Sequence, residues 1–212
     1  MIPGNIKNIL VLAPHTDDGE LGAGGTISWF LEKKAKVWYA AFSTAKDSVP
    51  EGMPGDILKK EVRKATKKLG IDPENLIIFD YQVRKLNYCR QEILEDLIML
   101  RKRVPYDLIL MPSLNDIHQD HMTLSQEGLR AFKTTTILGY ELIWNNLTFN
   151  TTCFVRLEER HLQNKINALK CYESQKGRSY VTADFVRSLA KARGVQIGAE
   201  YAEAFEVIRW VI

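Results

Sequence analysis

The sequence predicts an α/β domain built on a mostly parallel sheet with helices on both faces. Three observations carry that expectation. Short apolar runs bounded by turn residues recur along the first two thirds of the chain. A stretch of helical spacing follows most of them. The two loops richest in histidine and aspartate each follow an apolar run, which is where open α/β sheets place their ligands. The 212 residues suit one domain spanning 1–212, long enough to bury a core without staples.

The elements can be taken in order. Asn8–Ala13 is continuously apolar after its first residue and stops at Pro14, as suits a strand covered on both faces. A glycine-rich turn is expected next, then a helix from about Thr26 to Lys34. Val37–Phe42 reads as the second strand, and Ser43–Gly55, with two prolines and two glycines, as a loop. Asp56–Leu69 places Ile57, Glu61, Ala65 and Leu69 at i, i+4 spacing, and Gly70 suits its C-cap. Leu76–Phe79 and Leu108–Met111 read as strands, with a helix over Glu92–Arg103 between them and another over His121–Lys133 after them. The C-terminal third is less regular. It offers strand-like segments at Ile137–Ile143 and Cys153–Leu157, helices at Glu158–Tyr172 and Ala183–Arg193, and a short strand at Phe205–Trp210. The alternation is Rossmann-like.

Composition narrows the function classes. Twenty-nine basic and 26 acidic residues leave a net charge of +3, too mild to argue for nucleic acid or a membrane surface. The longest apolar run, Val37–Phe42, falls far short of the roughly 20 residues of a membrane span. The start, Met1–Asn5, lacks the charged and apolar regions of a secretory signal. Cys89, Cys153 and Cys171 are few and scattered, so they read as reduced thiols and point to the cytoplasm. Without a secretory signal, the sequons at Asn146 and Asn150 read as chance matches. The lysine-rich face of residues 59–68 reads as a solvated helix surface, His161 as structural or solvated, and Trp144 as a candidate border of the site.

Three of the four histidines lie in the two polar loops. The first loop runs Pro14-His15-Thr16-Asp17-Asp18-Gly19-Glu20-Leu21-Gly22-Ala23-Gly24-Gly25-Thr26, and the second Pro112-Ser113-Leu114-Asn115-Asp116-Ile117-His118-Gln119-Asp120-His121. Adjacent side chains diverge, so one of Asp17 and Asp18 can bind a metal while the other faces its water. His118 and His121, at i, i+3, can share one side of a helical turn. His15, one aspartate and one histidine would supply three N/O ligands and leave a position open, the pattern of a catalytic zinc site.

His15-Thr16-Asp17-Asp18 with Gly22-Ala23-Gly24-Gly25-Thr26, and His118-Gln119-Asp120-His121 about a hundred residues later, resemble the PIG-L/LmbE-type de-N-acetylases. Ser174-Gln175 and Gly198–Phe205 are also similar to family features. The H-x-D-D-x-E-L-G form, with Thr16 for the usual proline and Glu20 displaced by Gly19, resembles the branch that acts on glucosaminyl-malate conjugates. Leu58 stands where the family often has an arginine, three residues before the glutamate matched by Glu61. The resemblance implies an LmbE-like fold and a zinc-dependent hydrolase, with ferrous iron as the other candidate ion. Its substrate would be a small N-acetylglucosamine-type sugar conjugate, and a homo-oligomer would be in keeping. It implies His15, Asp18 and His121 as zinc ligands and Asp17 as general base. It places His118 facing the reacting carbonyl as an imidazolium, with Asp116 and Asp120 behind the ligands.

The chemistry agrees with that assignment. Amide hydrolysis needs an activated water, a stabilised oxyanion and a protonated leaving amine. Two other readings compete. A His-x-Asp…His triad also binds non-haem iron, in enzymes that usually carry an all-β barrel. A glycine-rich turn after a first strand also suggests a nucleotide-binding module, but Gly22-Ala23-Gly24-Gly25 does not fit G-x-G-x-x-G.

Overall fold

The structure, a computed structural model, describes residues 6–211. The Met1–Asn5 segment, read above for its lack of a signal, lies outside the described residues. Seven strands form one sheet: β1 (Asn8–Ala13), β2 (Lys36–Ala41), β3 (Leu76–Ile78), β4 (Leu108–Pro112), β5 (Thr136–Tyr140), β6 (Cys153–Leu157) and β7 (Tyr201–Arg209). Their order is β3-β2-β1-β4-β5-β7-β6. The first five are parallel; β7 runs antiparallel between β5 and β6. Among the described residues, six α-helices surround the sheet: α1 (Asp18–Glu32), α2 (Ile57–Leu69), α3 (Arg90–Arg103), α4 (Gln119–Ala131), α5 (Glu159–Leu169) and α6 (Ala183–Val195).

β1 shows why its run is apolar throughout. Ile9, Val11 and Ala13 pack on one face with α1, α2, α5 and α6, while Leu10 and Leu12 pack on the other with α3 and α4. Both faces are dry, so the period-2 alternation of a half-exposed strand is absent. From β1 the chain builds outward through β2 and β3, then returns to β4 on the other side of β1. The carboxyl ends of β1 and β4 therefore flank the topological switch point, and both polar loops emerge there.

The expected glycine-rich turn is instead the first half of α1, which starts at Asp18 and not near Thr26. The glycines let this helix lie directly on the sheet. A Cβ on Gly19 would sit 2.5 Å from the Tyr39 ring, and one on Gly22 would overlap the Tyr140 ring. Glycine in a helix costs roughly 1 kcal/mol relative to alanine, and at these positions any side chain would push the helix off the sheet.

At Ala23 the helix kinks, with φ −141°. The break frees backbone groups that two buried side chains satisfy. Lys165 Nζ donates to the Leu21 carbonyl at 2.6 Å and to Glu203 Oε1 at 2.7 Å. The Glu203 carboxylate accepts from Gly25 N at 3.0 Å and Thr26 N at 2.7 Å, capping the second half of the helix.

Other boundaries shift for local reasons. β5 stops at Tyr140 because the chain then turns, with Leu142 N donating to Asn146 Oδ1 at 2.8 Å. β7 starts at Tyr201, earlier than Phe205, because its first residues, Tyr201–Ala204, pair with β6 before the strand reaches β5 at Phe205. His118 is the N-cap of α4, its side chain accepting from Asp120 N, so that helix begins at Gln119. His161 is buried and structural: it completes the capping box of α5 with Glu158 and lies 3.0 Å from Glu32. The lysines and Arg63 of α2 are exposed, as the solvated-face reading expects. No described helix is long and apolar enough to cross a membrane.

Candidate metal centre and active site

The loop from β1 into α1 and the loop from β4 into α4 converge on one pocket of about 300 Å³. His15, Asp17, Asp18, His118 and His121 all line it. Three of their atoms form a triangle. His15 Nδ1 is 3.1 Å from Asp18 Oδ2, His121 Nε2 is 3.3 Å from Asp18 Oδ2, and the two imidazole nitrogens are 3.2 Å apart. Donors at zinc distances from a tetrahedral ion stand about 3.3–3.4 Å from one another, so this triangle fits one face of a zinc site. His118 also reaches the centre: His15, His118 and His121 offer ring nitrogens that all lie within 4.8 Å of one another. The set containing Asp18 is the tighter of the two, and it matches the ligands that the family resemblance implies.

Each imidazole of the triangle is aimed by a carboxylate behind it. His121 Nδ1 lies 2.7 Å from Asp116 Oδ2, and His15 Nε2 lies 2.9 Å from Asp120 Oδ2. These bonds place the ring protons on the outward nitrogens and leave His15 Nδ1 and His121 Nε2 as acceptors toward the centre, the usual support for a metal-binding histidine. Asp116 also accepts from His118 N at 2.8 Å, and Asp120 from Arg84 N at 2.6 Å and Leu86 N at 3.2 Å. Asp120 thus ties the His15 ring to the backbone of a second segment, while Asp116 ties the His121 ring to its own loop.

The electrostatics favour positive charge at the centre of the triangle. Burial alone would lower the pKa of His121, yet Asp18 and Asp116 lift it to about 10. His15 likewise rises to about 9 against burial, through Asp18 and Asp120. Although burial opposes it, His121 and His15 hold the Asp18 carboxyl well below the usual range. A divalent cation would supply the same charge without the protons.

Asp17 differs from its neighbour. It is partly exposed, lines the pocket and precedes the first turn of α1 without a side-chain cap bond. Burial, and then the Asp18 charge, raise its carboxyl to about 6. His118 differs from the expected imidazolium: burial, followed by the charges of His121 and His15, pushes it down to about 4. Its Nδ1 accepts from Asp120 N at 3.2 Å, so the neutral ring carries its proton on Nε2.

The remaining wall comes from distant segments. Leu58 of α2, Ser48, Arg84, Trp144, Asn145, Gln175, Arg178 and Tyr180 are part of that lining. Trp144 does border the site, stacked on Tyr180 at 4.0 Å between centroids. Glu61 is buried, and its carboxylate accepts from Ser174 N at 3.1 Å and Ser174 Oγ at 2.6 Å, which sets the segment that presents Gln175. Glu20, the residue that marks the branch resemblance, lies under the first loop and not in the pocket. It accepts from Tyr172 Oη at 3.0 Å and from Tyr39 Oη, and burial lifts its carboxyl to about 8. The same two hydroxyls hold the Thr16 carbonyl, at 3.0 and 2.7 Å.

Neither polar loop carries a signal for Arg84, Arg178, Asn145 or Tyr180. The sheet topology brings them to the rim, and no motif spacing connects them to the histidines.

Comparison with known proteins agrees with this geometry. Residues 10–132 match the PIG-L family, described as GlcNAc-PI de-N-acetylase. An uncharacterised deacetylase of Escherichia coli strain K12, YaiS, is 30% identical over 175 residues, 79% of this chain and 91% of that protein. The diacetylchitobiose deacetylase of Thermococcus kodakarensis is 23% identical over 96% of this chain and 84% of its own length. The fold is shared more widely. GalB, the 4-carboxy-2-hydroxymuconate hydratase of Pseudomonas putida KT2440, superposes with a TM-score of 0.79 over 97% of this chain and 98% of its own, at 18% identity. The family match covers more than half of the chain, including both loops that carry the pocket's histidines and aspartates, and on that ground the chain belongs to the PIG-L family of deacetylases.

Proposed function

We propose that the protein is a zinc-dependent N-deacetylase that releases acetate from an N-acetylglucosamine-type sugar conjugate. The observation that carries this reading is the triangle of His15 Nδ1, Asp18 Oδ2 and His121 Nε2, with Asp17 and His118 beside it in the same pocket. The relatives support the sugar: the family is described by an N-acetylglucosaminyl substrate, and the Thermococcus relative by diacetylchitobiose. The branch resemblance adds nothing about the group attached to the sugar, because Glu20 is a packing residue.

In this reading His15, Asp18 and His121 hold the ion, with Asp120 and Asp116 fixing the two rings. Zinc, when bound, acidifies water to a pKa of about 7 and polarises the acetyl carbonyl; iron(II) would suit the same donors. Asp17 takes the proton from the attacking water and delivers it to the nitrogen as the amide C–N bond breaks. His118, neutral, donates from Nε2 to the acetyl oxygen while that oxygen carries the developing charge. Water adds across the amide, and acetate and the free amine leave. A cytoplasmic location is part of the proposal, in keeping with Cys89, Cys153 and Cys171, all free of disulfides.

The test is a free-amine assay on a panel of N-acetylglucosamine conjugates, with metal content measured on the same sample. Acetate release with about one zinc per chain is expected. Activity confined to phosphoesters or peptides would sink the reading.

A further inference from the structure

Most polar side chains of the site are aimed by a bonded neighbour. Asp120 fixes the His15 ring through its carboxylate and the His118 ring through its N–H, and Asp116 fixes the His121 ring. The Asp18 carboxylate accepts from His15 N at 2.8 Å. Asp17 is the exception. Its carboxylate has no side-chain hydrogen-bond partner among the described residues, and it caps no amide of α1. Its place in the pocket is set by its backbone.

That backbone is held from beneath. The Thr16 carbonyl, part of the peptide that joins Thr16 to Asp17, lies 2.7 Å from Tyr172 Oη and 3.0 Å from Tyr39 Oη. The two tyrosines are distant in sequence and both buried: Tyr39 lies in β2, and Tyr172 follows α5. Each hydroxyl proton is shared between the Thr16 carbonyl and an oxygen of Glu20, so three side chains and one carbonyl form a single network. The peptide is trans, so its N–H points opposite to the gripped carbonyl. That N–H is Asp17's own, and it faces the Asp17 carboxylate on the pocket side. A tilt of this one peptide would swing the carboxylate, whereas His15 and Asp18 keep their separate supports.

We propose that Tyr39 and Tyr172 are positioning residues for Asp17: by pinning the Thr16–Asp17 peptide, they hold the general base within reach of the attacking water. The inference rests on the deacetylase reading and adds two residues that line no part of the pocket. Proton transfer needs its partners within hydrogen-bond reach, and a misplacement of about 1 Å can cost about 10²-fold in rate. The loss should fall on turnover, because the pocket wall and the metal donors stay in place.

Tyr172→Phe and Tyr39→Phe keep both rings and remove the hydroxyls one at a time. Tyr172→Phe is the cleaner change, since Tyr39 Oη also accepts from Gly19 N at 3.1 Å. Tyr140→Phe is the control. Its hydroxyl donates to the Leu12 carbonyl at 2.9 Å, a buried bond of the same kind that touches β1 and not the Asp17 peptide. All three variants should lose similar Tm. On an N-acetylglucosamine glycoside, kcat should fall about tenfold or more in Tyr172→Phe and in Tyr39→Phe, with KM and zinc content unchanged. It should stay within about twofold of wild type in Tyr140→Phe. In the Asp17→Asn background, Tyr172→Phe should cost less than about twofold more, because the group it aims is already lost. A merely structural tyrosine would give losses that multiply.

A readout free of turnover is the NMR order parameter of the Asp17 amide, about 0.85 for a rigid backbone. It should drop in the Tyr39→Phe/Tyr172→Phe double variant and hold in Tyr140→Phe. An unmoved kcat in the double variant, an equal loss in Tyr140→Phe, or losses that multiply with Asp17→Asn overturns the proposal. If the wild type hydrolyses no glycoside, the deacetylase reading falls, and the order parameter alone decides whether the tyrosines pin this peptide. If the wild type turns over while kcat and the order parameter are unmoved in the double variant, the reaction stands and the positioning role falls.

Discussion

The floor and the mouth of the pocket are built in different ways. On the floor, Asp116 and Asp120 are almost fully buried, and each carboxylate makes two or three bonds, one to a ring of the triangle and the rest to backbone N–H groups. At the mouth, Trp144, Tyr180, Arg84 and Arg178 come from three separate connections: Trp144 stacks on Tyr180, Arg178 makes one hydrogen bond to Tyr180, and the Arg84 side chain reaches only Ser48 Oγ and the Asp47 carbonyl. The floor is preorganised at the cost of buried charge, which suits atoms that must stand within tenths of an ångström of a reacting centre. The mouth has few constraints, which suits a surface that selects among conjugates of one sugar. Change should therefore be punished below and tolerated above.

The contrast can be broken from the floor upward. Asp18→Ala removes one corner of the triangle, and His121→Ala another; either should lose the ion, and activity with it, because two donors hold zinc poorly. Metal analysis after desalting checks this, and a fully loaded Asp18→Ala would move the metal to the three histidines. Asp17→Asn should keep the ion and lose about 10²–10⁴ in kcat. A metal-free Asp17→Asn would mean that the two aspartates have exchanged roles.

Asp120→Ala sharpens the comparison, since it touches no ion. Freed of its partner, the His15 ring should weaken metal affinity by about 10- to 100-fold, read by competition with a chelator of known strength. The smallest effect is expected at the mouth. Trp144→Ala removes a stacked pair worth about 0.5–1.5 kcal/mol, so KM should rise about twofold to tenfold with metal content unchanged. A Trp144→Ala protein that lost its metal would show that the two regions are one unit.

The same division decides what could be read from the amino-acid sequence. His15-Thr16-Asp17-Asp18 and His118-Gln119-Asp120-His121 are local patterns, each set on the end of a strand that its apolar run announces. The floor and the parallel half of the sheet were therefore legible. The glycines of α1 read as a turn in sequence because their reason lies across the structure, in the rings of Tyr39 and Tyr140. β7 reads short in sequence because the pairing of Tyr201–Ala204 with β6 is set by topology and not by the strand's own pattern. Arg84 gave no signal, since the need for a left-handed backbone belongs to the Asp120 bond that imposes it. Glu20, which in sequence marks the branch resemblance, anchors the loop from below, a difference that adjacency in sequence cannot express.

The kink in α1 has a consequence in time. Its freed amides at Gly25 and Thr26 are capped by Glu203, which follows 178 and 177 residues later. On a ribosome adding about 5–20 residues per second, roughly 10–35 s pass between the synthesis of that helix and the arrival of its cap. Throughout that interval the helix that begins at Asp18 lacks the strand that anchors its second half. A nascent chain stalled before residue 203 should consequently show α1 more open to proteolysis near Ala23 than the released protein does, although both loops that carry the pocket's histidines and aspartates have already been made.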